Sequence, residues 1–480
     1  MSLSSAMNTA QSIFNNTGKQ TQTVSKNMAN SGNADYARRT SVTTTSLYGA
    51  QIITTARAQN DMLLRQVLSS TSQSAAQDAL LQGLKDIKSV LGGNDNESAP
   101  STYLAQFQNA LHDYAVKPND QILGASVINA AKDVATSLNL ASKAVQAVRA
   151  DADVQIAAQV EKLNGLLKQF QEANEAVTTA TAVGRDPNDA LDVREGLLKR
   201  ISEIVGVSTM AVDNNGLALY TTSGIALFDK TPRAVEFVPH SSYSATTVGN
   251  SIKIDGISLT AGKDANTSAM GSLQALLQVR DEIAPTFQNQ LDEVARALVV
   301  SFAEVDAGGG KVAGLFTWSG GMVPATGTLV PGMAATIQVA ARAVENPTRL
   351  RDGTVSTLGV NQNTSSSAGF STLLDGYETG LDAKRAFDAA ATKLDTSSSI
   401  MEFSTRSVSW LETYRSGADA ANENKAALLA RSSEAYSNVT GVSLDEEMSL
   451  MLDIEQSYKA AAKLLAAVDE MLKTLLALGN

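Results

Sequence analysis

The chain has no cysteine and only two histidines, His112 and His240, among 480 residues. No disulfide, thiol nucleophile or thiolate metal site is therefore open to it. The two histidines fall in no HxxxH or HExxH spacing, so no metal site is expected. Aromatic residues make up 5% and charged residues 18%. Ala, Ser, Thr, Asn and Gln fill the remainder, a composition that favours close helix-on-helix packing over large aromatic cores. All nine prolines lie between Pro100 and Pro347, so both ends are free of the main helix breaker. No stretch approaches the roughly 18 uncharged apolar residues of a membrane span, and no membrane insertion is expected. Met1 to Phe14 offers no basic head, apolar run or cleavage site, so any export is expected to proceed without a cleaved signal peptide. Acidic residues number 49 against 38 basic, for a net charge of -11. Such a surface repels phosphate backbones, and nucleic acid is not expected as a partner.

What is present is periodicity. Near the N-terminus, Leu3, Met7, Ala10, Phe14, Thr17, Thr21, Val24 and Met28 follow a 3-4 spacing over four heptads, ending in the turn-forming Asn30-Ser31-Gly32-Asn33. At the other end, Ser443-Leu444-Asp445-Glu446 has the form of a capping box, and a helix is expected to run from there to Leu478. Its apolar residues form two adjacent stripes. One holds Leu444, Met448, Met451, Tyr458, Ala462, Leu465, Leu472 and Leu476; the other holds Ile454, Ala461, Leu464, Val468, Met471, Leu475 and Leu478. A single partner helix covers only one of them. Helical spacing also marks Asp61–Leu91, Tyr103–Ala115, Gln121–Val183, Ala190–Val205, Leu273–Val305 and Ala383–Tyr436. Between Val207 and Thr260 the period falls to two. Asp213-Asn214-Asn215-Gly216 and Asp255-Gly256 stand where hairpin turns belong. Gly308 to about Ser367 is rich in Gly, Pro, Thr and Ser and is expected to be non-helical. The pattern as a whole is a helical body interrupted by a β-rich insertion, with both chain ends returning to one stalk.

Several short stretches invite a catalytic reading and fail it. Gly308-Gly309-Gly310-Lys311 lacks the first glycine of a phosphate loop, and Val312 replaces the Ser or Thr after the lysine. Asp151-Ala152-Asp153 lacks the glycine and distal glutamate of a calcium loop and is expected to be a solvated helix face. No GxSxG or GxGxxG is present. No catalytic residue, cofactor or enzymatic activity is expected.

VSKNMANSGNADYARR, from Val24 to Arg39, resembles the N-terminal signature of the flagellar axial rod, hook and hook-associated proteins. That signature carries a Thr-Pro-Gly-Tyr turn where this chain has Asn33-Ala34-Asp35-Tyr36. GVSLDEEMSLMLDIEQSYKAAAKLLAAVDEMLKTLLAL, from Gly441 to Leu478, is similar to the C-terminal helix of the FlgK family. NALHDYAVKPND (Asn109 to Asp120) and DPNDALDVREGLLKRISEIVGVS (Asp186 to Ser208) resemble its helical body.

The resemblance implies a mainly α fold of discontinuous domains. Residues 1–45 and 441–480 would pair as an inner coiled-coil stalk for assembly. Residues 46–206, 262–307 and 368–440 would form a helical bundle body, and 207–261 with 308–367 a small β-rich outer domain. It further implies a structural adaptor in the bacterial flagellum, self-assembling through its terminal helices at the hook–filament junction, outside the cell and exported by the flagellar type III apparatus. The implied partners are other copies of the chain, the hook protein, a flagellin-like second junction protein and an export chaperone on the C-terminal helix. The expected interface is Leu3, Met7, Phe14, Val24 and Met28 with Leu444, Met448, Met451, Tyr458, Leu465, Leu472 and Leu476. The alternative is another axial or junction protein: rod, hook, or the flagellin-like second hook-associated protein.

Overall fold

The computed structural model describes the backbone of residues 3–45, 51–89, 91–92 and 96–478, and their side chains except at 3–6, 43–45, 51–53, 475, 476 and 478. In chain order, α1 (Leu3–Ala29) leads into the hairpin β1 (Arg39–Thr45) and β2 (Gln51–Arg57). Four helices follow: α2 (Asp61–Ser89), α3 (Pro100–Val116), α4 (Gln121–Ala182) and α5 (Asn188–Ile204). Strands come next: β3 (Val207–Val212), β4 (Gly216–Thr221), β5 (Ala226–Asp229), β6 (Thr231–Pro232), β7 (Val235–Glu236), β8 (Lys253–Ile254) and β9 (Ile257–Ser258). A π turn at Val279–Ile283 joins α6 (Ser272–Gln278) to α7 (Ala284–Ser301). Short ribbons and single-turn helices fill the next hundred residues: β10 (Glu304–Val305), β11 (Lys311–Val312), β12 (Phe316–Thr317), α8 (Met333–Thr336), β13 (Gln338–Val339), α9 (Ala341–Glu345), α10 (Thr348–Asp352), α11 (Thr372–Asp382), β14 (Arg385–Ala386), α12 (Ala389–Thr392) and β15 (Ser397–Ser398). Two long helices close the chain, α13 (Ile400–Thr440) and α14 (Leu444–Leu478).

Local chemistry sets most boundaries. Asn60 Oδ1 accepts from the amides of Met62 and Leu63 to start α2, and Asp120 does the same for Ile122 and Leu123 in α4. Pro100 opens α3, where its missing N–H is no loss. Both hairpin turns form where the sequence places them. Asn214 and Asn215 take positive φ between Val212 and Gly216, as do Asp255 and Gly256 between Ile254 and Ile257. The Asn33–Tyr36 turn closes by another route than a left-handed residue. Asp35 keeps a negative φ, Asn33 Oδ1 accepts from its amide, and Tyr36 N donates to Asn33 O.

Three sequence expectations are corrected. The helix expected over Ala383–Tyr436 begins only at Ile400, where Ser399 and Glu402 cap each other reciprocally. The stretch before it is a β14–β15 ribbon enclosing one turn of helix that Lys393 ends in the left-handed region. The helix expected over Leu273–Val305 stops at Ser301 and contains the π turn just before Pro285, which cannot donate to the preceding turn. Finally, Asp153 is not on a solvated face. It is fully buried, bonded to Arg280 Nη1 at 2.6 Å and to the Tyr243 hydroxyl at 2.9 Å.

The chain resolves into two compact units. One comprises 1–72, 164–233 and 426–480; the other comprises 73–163 and 234–425. In the first, α5 and the four-stranded sheet β3-β4-β5-β6 share a core that includes Leu167, Phe170, Leu198, Ile201, Leu219 and Phe228. Arg194 ties the β3–β4 turn to this core, donating to Asn174 Oδ1 and to Asn215 O. In the second, α7 is buried along nearly its whole length in a cluster with Phe107, Leu111, Val134, Phe302, Phe316 and Phe403.

Candidate assembly interface

α1 and α14 lie antiparallel: Phe14 meets Tyr458 edge-on, ring centroids 4.9 Å apart, and Asn27 meets Glu447. The buried seam is narrow. On α1 it consists of Ala10, Thr17 and Val24, seven residues apart; on α14 it is Ile454, Ala461 and Val468, also seven apart. The part of α14 turned onto α1 is thus Ile454, Ala461 and Val468 of the second stripe, while Leu464 and Met471 of that stripe stay 37% and 49% exposed. Leu444, Met448 and Leu472 of the first stripe are 48%, 49% and 39% exposed, and Tyr458 is 53% exposed although its ring meets Phe14, whereas Ile454, Ala461 and Val468 are 5%, 1% and 3%.

Of the residues expected at the interface, Val24 is consumed within the chain's own seam and Phe14, Met28, Met451 and Leu465 are half-buried. Met7 is 49% exposed. The side chains of Leu3 and Leu476 lie outside the described residues.

Periodicity missed the polar network at the foot of the seam. Asn27 is buried; its Nδ2 donates to Glu447 Oε2 at 3.0 Å and to Arg39 O at 2.8 Å. Its Oδ1 accepts from the Tyr36 hydroxyl at 2.8 Å and from Arg39 N at 3.1 Å. Glu447, fully buried, takes Arg38 Nε at 2.7 Å on its other oxygen. Glu446, expected to complete the α14 capping box, pairs with Arg38 Nη1 at 2.9 Å, while Ser443 Oγ accepts from its amide at 3.4 Å. A carboxylate out of water costs several kcal/mol unless it is charge-paired and hydrogen-bonded, and Glu447 is both.

A second set of pairs continues the network. Arg39 Nη2 reaches Asp192 Oδ2 at 2.8 Å, and Arg57 bonds Asp192 at 2.7 Å while gripping both oxygens of Glu195 at 2.8 Å. The Tyr436 hydroxyl donates to Glu195 Oε2 at 2.6 Å. Burial alone would lower the Arg57 guanidinium, but Glu195 and Asp192 outweigh it and hold its pKa above the usual value. Burial raises the Tyr36 hydroxyl, opposed by Arg39 and reinforced by Asp192. The signature residues Tyr36 to Arg39 therefore tie α1 to α5, α13 and α14. Polar pairs at the end of an apolar seam also set its register, because a slip of one turn would strand them. The legible signal was the cluster Tyr36-Ala37-Arg38-Arg39 beside a buried-side asparagine at Asn27.

The stretches weighed for catalysis are held by contacts of the chain's own. Asp306 Oδ1 accepts from Gly308 N and Gly310 N, filling the loop with an anion of the chain's own. His112 Nδ1 lies 2.9 Å from Glu378 on an exposed face. Among the described residues no group of three or more His, Cys, Asp or Glu could hold a metal ion, and no helix is long and apolar enough to cross a membrane.

Residues 84–318 match the family model described as the flagellar hook-associated protein FlgK helical domain. Residues 434–478 match the flagellar basal body rod FlgEFG protein C-terminal model. Flagellar hook-associated protein 1 of Bacillus subtilis is 24% identical over 434 residues, covering 82% of this chain and 79% of that protein. Its namesake in Salmonella typhimurium is 26% identical over 314 residues, 62% of this chain and 56% of its own length. The chain thus spans only a little over half of the Salmonella relative. The solved structure of the flagellar hook junction protein FlgK from Burkholderia pseudomallei superposes with a TM-score of 0.59 at 12% identity, over 77% of this chain and 99% of that one. Taken with the mainly helical fold and the signature residues at both ends, these likenesses show that the chain belongs to the FlgK family of flagellar hook-associated proteins.

Proposed function

We propose that the chain is a structural subunit of the flagellum that joins hook to filament and polymerises through its terminal helices. The observation that carries this reading is that α14 closes Ile454, Ala461 and Val468 on α1 and leaves a row of other apolar side chains exposed, Leu444, Met448, Leu464, Met471 and Leu472 among them. A helix facing water on both sides has no reason to keep such a row; a helix packed among neighbours does. Related proteins carry the names hook-associated protein 1 and hook junction protein.

In this reading the exposed apolar row of α14, together with the exposed Met7 of α1, meets other copies, the hook protein on one side and a flagellin-like junction protein on the other. Before export, a chaperone covers the same row, since it would otherwise drive aggregation. The chain acts outside the cell. The deciding experiment removes the chain from its cells: hooks without attached filaments are expected, with unpolymerised filament protein shed into the medium. Filaments of normal number would overturn the proposal.

A further inference from the structure

We infer that the groove framed by β11, the loop before Val323, α9 and the turn at Val355 is a docking surface for a second copy of this chain, which presents an aliphatic side chain beside a carboxylate. The groove encloses about 600 Å³ and is lined by Lys311, Arg342, Met322, Val323, Val355 and Leu358 among others. Met322 and Leu358 are 77% and 64% exposed, so its rim is an aliphatic surface in open water. No Asp or Glu lines it.

Its two cations are under-paired. Among the described residues Lys311 has no side-chain hydrogen bond or ion pair, although it lies in the β10–β11 ribbon. Arg342 makes one bond of 3.2 Å from Nη2 to Thr354 O, and its Nε is buried without a partner. The nearby carboxylates are engaged elsewhere. Glu304 is buried and close enough to Arg342 to feel its charge, but its hydrogen bonds are taken by Val355 N at 2.9 Å and Ser356 N at 2.8 Å. Asp306 caps the glycine turn, and Glu345 pairs with Arg349 at 2.9 Å.

Two under-paired cations, Lys311 exposed and Arg342 partly buried, beside an aliphatic rim are the anatomy of a protein-docking patch: apolar contact supplies the area, and a charge pair that docking desolvates supplies the register. A small inorganic anion would leave Met322 and Leu358 uncovered. A second copy fits on charge, because each carries 11 more acidic than basic residues. It also fits on proximity, because the inference rests on the reading of the chain as a polymerising subunit, in which copies are neighbours.

The chain has no thiol of its own, so Leu358→Cys labelled with benzophenone maleimide reports on this groove alone. Irradiation of isolated flagella carrying the labelled chain should give a covalent homodimer, with peptides from two copies joined at position 358. Adding Lys311→Glu, an exposed change, should reduce that homodimer at least fivefold. Crosslinks only to a different flagellar protein, or none in flagella that contain the chain, would overturn the inference and leave the junction reading intact. Absence of the chain from purified flagella would overturn both.

Discussion

Asn27 Nδ2 donates to Glu447 Oε2 at 3.0 Å across a sequence separation of 420 residues, and this bond is where the two ends of the chain are joined. Asn27→Ala leaves the Tyr36 hydroxyl, the Arg39 carbonyl and one Glu447 oxygen without their partner. Unfolding of the unit that carries the terminal helices should lose about 2–4 kcal/mol. Chemical denaturation followed at α1, with a probe on Met7, would show the lowered midpoint. Asn27→Asp should be worse than Asn27→Ala, since it sets a second carboxylate against Glu447. Equal midpoints for the three proteins would mean that the seam does not depend on this bond.

The two faces of α14 should respond to opposite tests. Ile454→Asp puts a charge into the closed seam and should release α1 from α14 in the free chain, seen as rapid proteolysis of both ends. Leu472→Asp lies in the exposed row and should leave the free chain as stable as before, within about 0.5 kcal/mol, while blocking incorporation into flagella. Normal filaments in cells carrying Leu472→Asp would remove that row from the interface.

Asp292 gives the second unit a pH signature. Burial pushes its carboxyl up to about 6, against the opposing donations from Ala334 N, Gly332 N and Gln288 Nε2. The folded chain holds this proton to about pH 6, whereas an unfolded aspartate releases it near pH 4. Between those values the unfolded state binds fewer protons, so stability contributed at this site falls as pH rises, by about 3 kcal/mol over the window. Asp292→Asn carries no titration. The difference in unfolding free energy between the variant and the parent chain should therefore change by that amount between pH 4 and pH 7. A constant difference would contradict the shifted pKa.

The Arg280–Asp153 pair makes a separate prediction about packing. Both side chains are buried, and a Cβ added at Gly249 would sit 2.5 Å from the Arg280 guanidinium carbon. Gly249→Ala should therefore displace the guanidinium and weaken its bond to Asp153, lowering unfolding stability by about 1–3 kcal/mol. Arg280→Met should cost more, about 3–5 kcal/mol, because it strands a fully buried carboxylate. Thermal unfolding of the two variants beside the parent chain would rank them. A milder loss in Arg280→Met than in Gly249→Ala would overturn this account.

Much of this protein was determined by local chemistry and is therefore readable along the chain. Helical periodicity located α2, α4, α5 and α14 to within a few residues, because a continuous apolar face and a capping side chain are properties of neighbours in sequence. The same is true of the Asn214–Asn215 and Asp255–Gly256 turns, where positive φ selects the residue types. Tertiary structure decided what no local rule contains. Ala383–Ser399 has helical spacing yet forms a ribbon, since the Ser399–Glu402 box starts the helix later. Asp153 reads as a solvated acid and is buried, because its partner Arg280 lies 127 residues away in sequence. On α14, only pairing with Ala10, Thr17 and Val24 settles which apolar residues close, namely Ile454, Ala461 and Val468. The Asn27–Glu447 bond holds α14 there, and leaves Leu444, Met448 and Leu472 exposed. Apolar periodicity records that a face is buried somewhere; the identity of what covers it is a property of the folded chain.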